Sequence, residues 1–169
     1  MNPKQLNHTN TRFTKNNFPI VLICDGVQSP ANIGSLFRIS DALGIEKIIF
    51  CNASINLSST RLLRTSRNTH KKVVHISSDN CLEEINALKQ KGYRLLALEI
   101  TDNSIPIEDI SIDKNEKIAI IIGNEQHGIS EEILNQIPTS THINMYGENS
   151  SMNVVQATSI ALYNMISKL

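Results

Sequence analysis

The sequence predicts an α/β fold, a mostly parallel, doubly wound sheet with helices on both faces. Short apolar runs rich in β-branched residues alternate with segments of helical periodicity along the 169 residues. The runs are apolar almost throughout, as strands are when helices cover both faces of the sheet. Glycines stand where two of the intervening helices should stop, at Gly44 and Gly92.

In chain order, Ile20–Cys24, Lys47–Cys51, Val73–Ser77, Leu95–Ile100 and Lys117–Ile122 read as strands, with a sixth near His142–Met145. Ile33–Leu43 and Cys81–Lys91 read as helices, and a long final helix runs from about Met152 to Lys168. Residues 18–169 are expected to form one domain, since a chain of this size has room for one core. Residues 1–17 are polar and read as a mobile arm, with no apolar stretch that could serve as a secretory signal.

With 40% hydrophobic and 19% charged residues, the chain has the makeup of a folded protein rather than a disordered one. Its longest apolar runs, such as Ile118–Ile122, are far short of the ~20 residues that span a bilayer. Cys24, Cys51 and Cys81 lie far apart with no CxxC pair, which argues against a zinc or redox motif and for a reduced, cytoplasmic protein. His127 has no second His or Cys at a ligand spacing, so no metal is expected.

Ligands of such sheets bind beyond the carboxyl ends of the strands, which directs attention to the loops at 26–32, 123–130 and 146–151. The first leads into Pro30-Ala31-Asn32-Ile33-Gly34-Ser35-Leu36-Phe37-Arg38. Here Asn32 reads as a helix N-cap, and Ile33, Leu36, Phe37, Ser40 and Leu43 form the buried stripe. Arg38 falls opposite that stripe. Gly34 is expected to leave an open surface beside its guanidinium, fit for a phosphate or ribose, although an exposed solubilising arginine reads the same way.

The second motif, Gly123-Asn124-Glu125-Gln126-His127-Gly128-Ile129-Ser130, follows a buried strand directly. Its two glycines permit close backbone approach or positive φ, and Ser130 with Glu131 and Glu132 resembles a helix start. Glu125 is left at the mouth of the sheet. The third motif, Ile143-Asn144-Met145-Tyr146-Gly147-Glu148-Asn149-Ser150-Ser151-Met152-Asn153-Val154, opens the final helix. That helix buries Val154, Val155, Thr158, Ala161, Leu162 and Met165. Ser151 reads as its cap, while Asn153 lies off the buried stripe and capping explains it poorly.

Net charge is zero, but residues 1–75 carry ten Lys/Arg against three acids, and residues 76–169 carry six against thirteen. Balances of +7 and −7 hint at a polyanion-facing surface or at two differing solvated faces. The densest basic stretch is Thr60–Lys72. Read as a helix, it sets Arg61, Arg64 and Arg67 along one drifting ridge, followed by His70, Lys71 and Lys72, with Leu62 and Leu63 on the buried side.

An N-x-G-x-x-x-R helix start, a G-N-E-x-x-G loop after a strand, and an S-x-N-V helix start near the C-terminus together resemble the SpoU (TrmH-like) family of the SPOUT superfamily. The resemblance covers Ile20–Ile166. It implies a SPOUT fold with a C-terminal trefoil knot, and S-adenosyl-L-methionine held by Gly123, Asn124, Gly128, Ile143, Met145 and Ser151. It further implies a homodimer with a shared active site that methylates a ribose 2′-hydroxyl of tRNA or rRNA, of which tRNA is preferred here. Asn32, Arg38, Glu125, Ser151 and Asn153 match the family's catalytic positions. Arg38, never deprotonated in practice, is expected to clamp a phosphate and stabilise alkoxide charge. The ridge of Arg61, Arg64, Arg67, Lys71 and Lys72 is expected to meet RNA phosphates.

Two departures stand out. Met152 replaces the usual leucine, and Asn164 replaces a common glutamate of the last helix. A GxGxxG motif is absent, which separates the chain from Rossmann-type methyltransferases. Two other readings stay open: a non-catalytic RNA-binding paralogue, and a flavodoxin-like nucleotide-binding domain.

Overall fold

The computed structural model describes Gln5, Thr11 and residues 13–169. Most of the expected N-terminal arm lies outside the described residues. In the part that is described, the Asn16 carbonyl packs against Gly44 closely enough that a Cβ there would collide with it.

The strands are β1 (Phe18–Asp25), β2 (Ile45–Cys51), β3 (His75–Ser78), β4 (Arg94–Leu98), β5 (Ile105–Pro106), β6 (Ile118–Ile122) and β7 (Ser140–His142). The helices are α1 (Pro30–Leu43), α2 (Thr60–Ser66), α3 (Cys81–Gln90), α4 (Glu131–Leu134) and α5 (Val154–Ile166). Among the described residues, these seven strands join one sheet in the order β3-β2-β1-β6-β4-β7-β5, and each of their pairings is parallel. The α/β class read from the sequence is the class observed. The two-residue β5 is too short to leave a periodic signal and was missed, whereas the one-turn α4 follows the helix start read at Ser130.

Successive strand residues face opposite sides. Ile20, Leu22, Cys24, Ile48, Phe50, Ile118, Ile120 and Ile122 pack with Ile33, Leu36 and Phe37 of α1, Leu62 of α2, and Ala161, Leu162 and Met165 of α5. On the other face, Val21, Ile23, Ile49, Ala119 and Ile121 pack with Cys81, Ile85 and Leu88 of α3 and Ile133 of α4. The sheet is therefore sandwiched between an α1/α2/α5 layer and an α3/α4 layer.

The expected glycine stop at Gly44 is present at φ 62°, with its N–H bonded to the Asp41 and Ser40 carbonyls. Gly92 follows α3 at φ 79°. Several helix limits differ from expectation. The α1 helix begins at Pro30 with Ser29 in the N-cap position, so Asn32 lies inside the first turn and caps nothing. The Asn153 side chain caps α5 by accepting from the Val155 N–H at 2.9 Å, which corrects the assignment of that role to Ser151. Ser130 precedes α4, but its hydroxyl donates to Asp25 Oδ2 at 2.9 Å instead of capping.

The basic helix stops at Ser66, where Arg67 and Asn68 turn left-handed at φ 46° and 68°. Arg61 and Arg64 thus share a helix face, whereas Arg67 stands on the turn and Lys71 and Lys72 lie beyond it. Leu63 is exposed rather than buried, leaving Leu62 and Ser66 to face α1. The cysteines, distant in sequence, are all free and buried. Cys51, at the end of β2, is hydrogen-bonded to Cys81 at the start of α3, and this contact and burial push the Cys81 thiol far up.

Candidate active site

Beyond the carboxyl ends of β1, β6 and β7, the three motifs converge on one hydrogen-bonded relay. The Val155 N–H donates to Asn153 Oδ1, Asn153 Nδ2 donates to Asn32 Oδ1 at 3.3 Å, and Asn32 Nδ2 donates to Glu125 Oε1 at 2.9 Å. The Glu125 carboxylate also accepts the Ser29 N–H at 3.1 Å and the Gln28 N–H at 3.3 Å. Each amide has one orientation that satisfies its neighbours, so the chain of donors runs one way and ends on the carboxylate. Partial burial pulls the Glu125 carboxyl up. The hydrogen bonds from Asn32, its own backbone, Gln28 and Ser29 outweigh that and hold it below the ordinary glutamate value. Such a carboxylate is a weak base, so what Glu125 supplies here is position.

The loop carrying Glu125 is closed on itself. The backbones of Asn124 and Gly128 exchange two hydrogen bonds of 2.9 Å, and Asn124 Oδ1 accepts the Gln126 and His127 N–H groups. Asn124 Nδ2 ties the loop to the Gly26 carbonyl at 2.7 Å. A Cβ at Gly123 would collide with the backbone of Gly128 and Ile129, so no larger residue fits there. Gly128 is needed for a different reason, its φ of 67°.

Beside this loop lies a cavity of about 380 Å³, a size suited to a small-molecule ligand. All six expected cofactor residues line it: Gly123, Asn124, Gly128, Ile143, Met145 and Ser151. Glu125 and Asn153 stand at its edge, while Asn32 joins through the relay alone. The cavity fits an adenosyl ligand in size and in the mixture of apolar walls, glycine backbone and a few polar side chains.

Other expectations fare differently. Arg38 is exposed on α1, makes no hydrogen bond or ion pair among the described residues, and does not line the cavity. Gly34 opens no ligand surface. It is buried, and a Cβ there would strike Thr65 Oγ1 and the Leu62 carbonyl, so this glycine admits α2 against α1. Three residues escaped the sequence reading. Asp25 is buried and accepts Asn52 Nδ2 at 2.8 Å and the Ser130 N–H at 3.1 Å, pinning the end of the second motif to β1. Glu99 and His142 line the cavity. A strand-end acid and an isolated histidine carry no spacing signal that could have marked them.

A family model, the SpoU rRNA Methylase family, matches residues 19–163. The chain belongs to this family. Among relatives is the 23S rRNA (guanosine(2553)-2'-O)-methyltransferase RlmP of Bacillus subtilis (strain 168), 26% identical over 145 residues. The match covers 86% of this chain and 57% of that enzyme, so the SpoU chain described here spans little more than half the length of this relative. The AdoMet-bound rRNA methyltransferase from Sinorhizobium meliloti superposes with a TM-score of 0.81 at 22% identity, covering 92% of this chain and 58% of that one. A structure described by its insights into "the 2-OH methylation of C/U34 on tRNA" superposes at 0.77 and 23% identity, covering 88% and 95%. At these identities the superpositions establish a shared fold.

Proposed function

We propose that this SpoU protein is an S-adenosylmethionine-dependent methyltransferase acting on a ribose 2′-hydroxyl of RNA, with tRNA as its substrate. The observation that carries the reading is the meeting of all three motifs at one cavity, with Asn32, Glu125 and Asn153 in a single relay. Support for the donor comes from the AdoMet-bound S. meliloti structure and from the six residues lining the cavity. Support for tRNA comes from the structural neighbour of nearly equal length that is described for methylation of C/U34 on tRNA; RlmP is named for 23S rRNA.

When bound, S-adenosylmethionine supplies a methyl group already activated on a sulfonium. The chain's own part is alignment. The Gly123–Gly128 loop and residues Ile143, Met145 and Ser151 form the walls that seat the donor. The relay fixes Asn32 and Asn153 at the edge where an acceptor ribose enters. Arg38 clamps the adjacent phosphate through charge-assisted hydrogen bonds and stabilises negative charge developing on the hydroxyl oxygen.

Because Arg38 stands outside the cavity of its own chain, we take it to complete the cavity of a second copy in a homodimer. Exposed Ile160 and Tyr163 on α5, 44% and 69% accessible, offer apolar surface for such a contact. The segment from β7 to α5, which returns from beyond β4 to pack on α1, is taken as the threaded part of the family's trefoil knot.

RNA is assigned to the α1/α2 layer. Exposed Arg38, Arg61, Arg64, Arg67, Lys71 and Lys72 gather on that side, whereas Glu83, Glu131 and Glu132 are exposed on the α3/α4 side. The charge asymmetry of the two sequence halves thus becomes an asymmetry of two faces, and the basic one suits a phosphate backbone.

Nucleoside mass spectrometry of tRNA and rRNA from a deletion strain tests the proposal. One 2′-O-methylated nucleoside should disappear from tRNA and return with the wild-type gene. A loss from rRNA instead reassigns the substrate, and a lost base methylation overturns the ribose assignment.

A further inference from the structure

The cavity is lined by two acids, and they do different things. Glu125 faces the β1 side, where three donors from the start of α1 occupy its carboxylate. Glu99 follows β4, on the other side of β6, and its own N–H is bonded to the Thr141 carbonyl of β7 at 3.0 Å. The Glu125 carboxylate is thus turned to the β1 side of β6 and Glu99 lies on the β4 side, so the two acids mark opposite sides of the cavity.

Each Glu99 oxygen accepts one backbone N–H. Oε1 takes that of Ile100 at 3.0 Å, and Oε2 takes that of Ile129 at 3.1 Å. A carboxylate oxygen has two acceptor positions, so one remains on each oxygen. Among the described residues no cation pairs with this carboxylate. Gly128 leaves room for it, because a side chain at position 128 would run into Oε2. The result is a fixed pair of adjacent acceptors on the cavity wall, away from the relay.

We infer that Glu99 is a specificity residue that accepts hydrogen bonds from the vicinal hydroxyls of the donor's ribose. Two neighbouring hydroxyl donors match two neighbouring acceptors, and a carboxylate binds them more strongly than a neutral carbonyl would. The cavity then has a recognition end at Glu99 and a transfer end at Asn32 and Asn153. The inference rests on the cofactor reading above.

Calorimetry with S-adenosylhomocysteine and its 2′-deoxyribose analogue tests it on the intact protein. Wild type should bind the deoxy analogue about ten- to a hundred-fold more weakly, the range for one hydrogen bond to a charged group. Glu99→Gln should weaken S-adenosylhomocysteine by a similar factor and discriminate little between the two ligands. Glu99→Asp retains the charge but withdraws it by one methylene, and should show the same reduced discrimination if Glu99→Gln does not fold. Equal weakening of both ligands, with the wild-type ratio preserved, makes Glu99 a brace for Ile129 and overturns the inference. Wild type that binds neither ligand overturns the cofactor reading itself.

Discussion

Two helices begin at the candidate site, and their first turns are held in opposite ways. The start of α5 is local: the Asn153 side chain accepts the N–H of Val155, two residues on. The start of α1 is remote. Ser29 occupies the cap position without a side-chain bond, Pro30 brings no N–H, and the acceptor is Glu125, 96 residues away from Ser29. A carboxylate also suits the positive end of the helix dipole. The α5 start can therefore form as soon as its own segment orders, whereas the α1 start is complete only when the β6 loop has closed. Asn32 and Asn153 bridge the two, so the geometry offered to an acceptor ribose depends on both.

The comparison is tested most severely at Glu125. In Glu125→Gln one oxygen must serve three donors, and we expect a loss of about 1–3 kcal/mol from unfilled N–H groups. Methyl transfer should fall about 10²-fold through misplacement of Asn32, with much smaller change in S-adenosylhomocysteine affinity. Denaturant melts beside kcat and calorimetry check this, and an unchanged kcat would remove the relay from the mechanism.

The same substitution carries a pH signature. The folded Glu125 pKa lies below its ordinary value, so its stabilisation is fully present above the unfolded pKa of about 4.3 and is lost as pH falls through the lower folded value. Wild-type melting temperature should thus drop more steeply than that of Glu125→Gln between neutral pH and that acid range. Parallel curves would mean that the α1 start is not held by charge.

Asn153→Ala comes next, at about 1 kcal/mol for a lost cap, with a fall in transfer rate as Asn32 loses its donor. Asn153→Ser, which restores the cap without reaching Asn32, should recover stability while leaving transfer low. The smallest effect belongs to Ser29→Ala, within about 0.5 kcal/mol, because its hydroxyl caps nothing. If it costs as much as Asn153→Ala, the contrast between a local and a remote start is wrong.

The residues lining the cavity came only with the family resemblance of the three motifs, whereas apolar runs and glycine stops were enough to read an α/β sheet and its loops. Those signals are local or periodic, and burial on both sheet faces writes them directly into the apolar runs around Ile23 and Ile120. The capping roles were read the wrong way round, with Asn32 taken as a cap and Asn153 as unexplained. A cap is a local hydrogen bond, but which acceptor wins depends on what else approaches, and Glu125 approaches from another strand. Gly34 looked like an opening because no sequence pattern reports that the α2 backbone would fill it. Glu99 and Asp25 were silent for the same reason, since each takes its partners from loops about 30 and 105 residues away. What the sequence by itself determined is the set of elements and the chemistry each brings. Which donor meets which acceptor was decided only by the parallel order of the strands, which carries Glu125 to the start of α1 and Glu99 to the β4 side of the cavity.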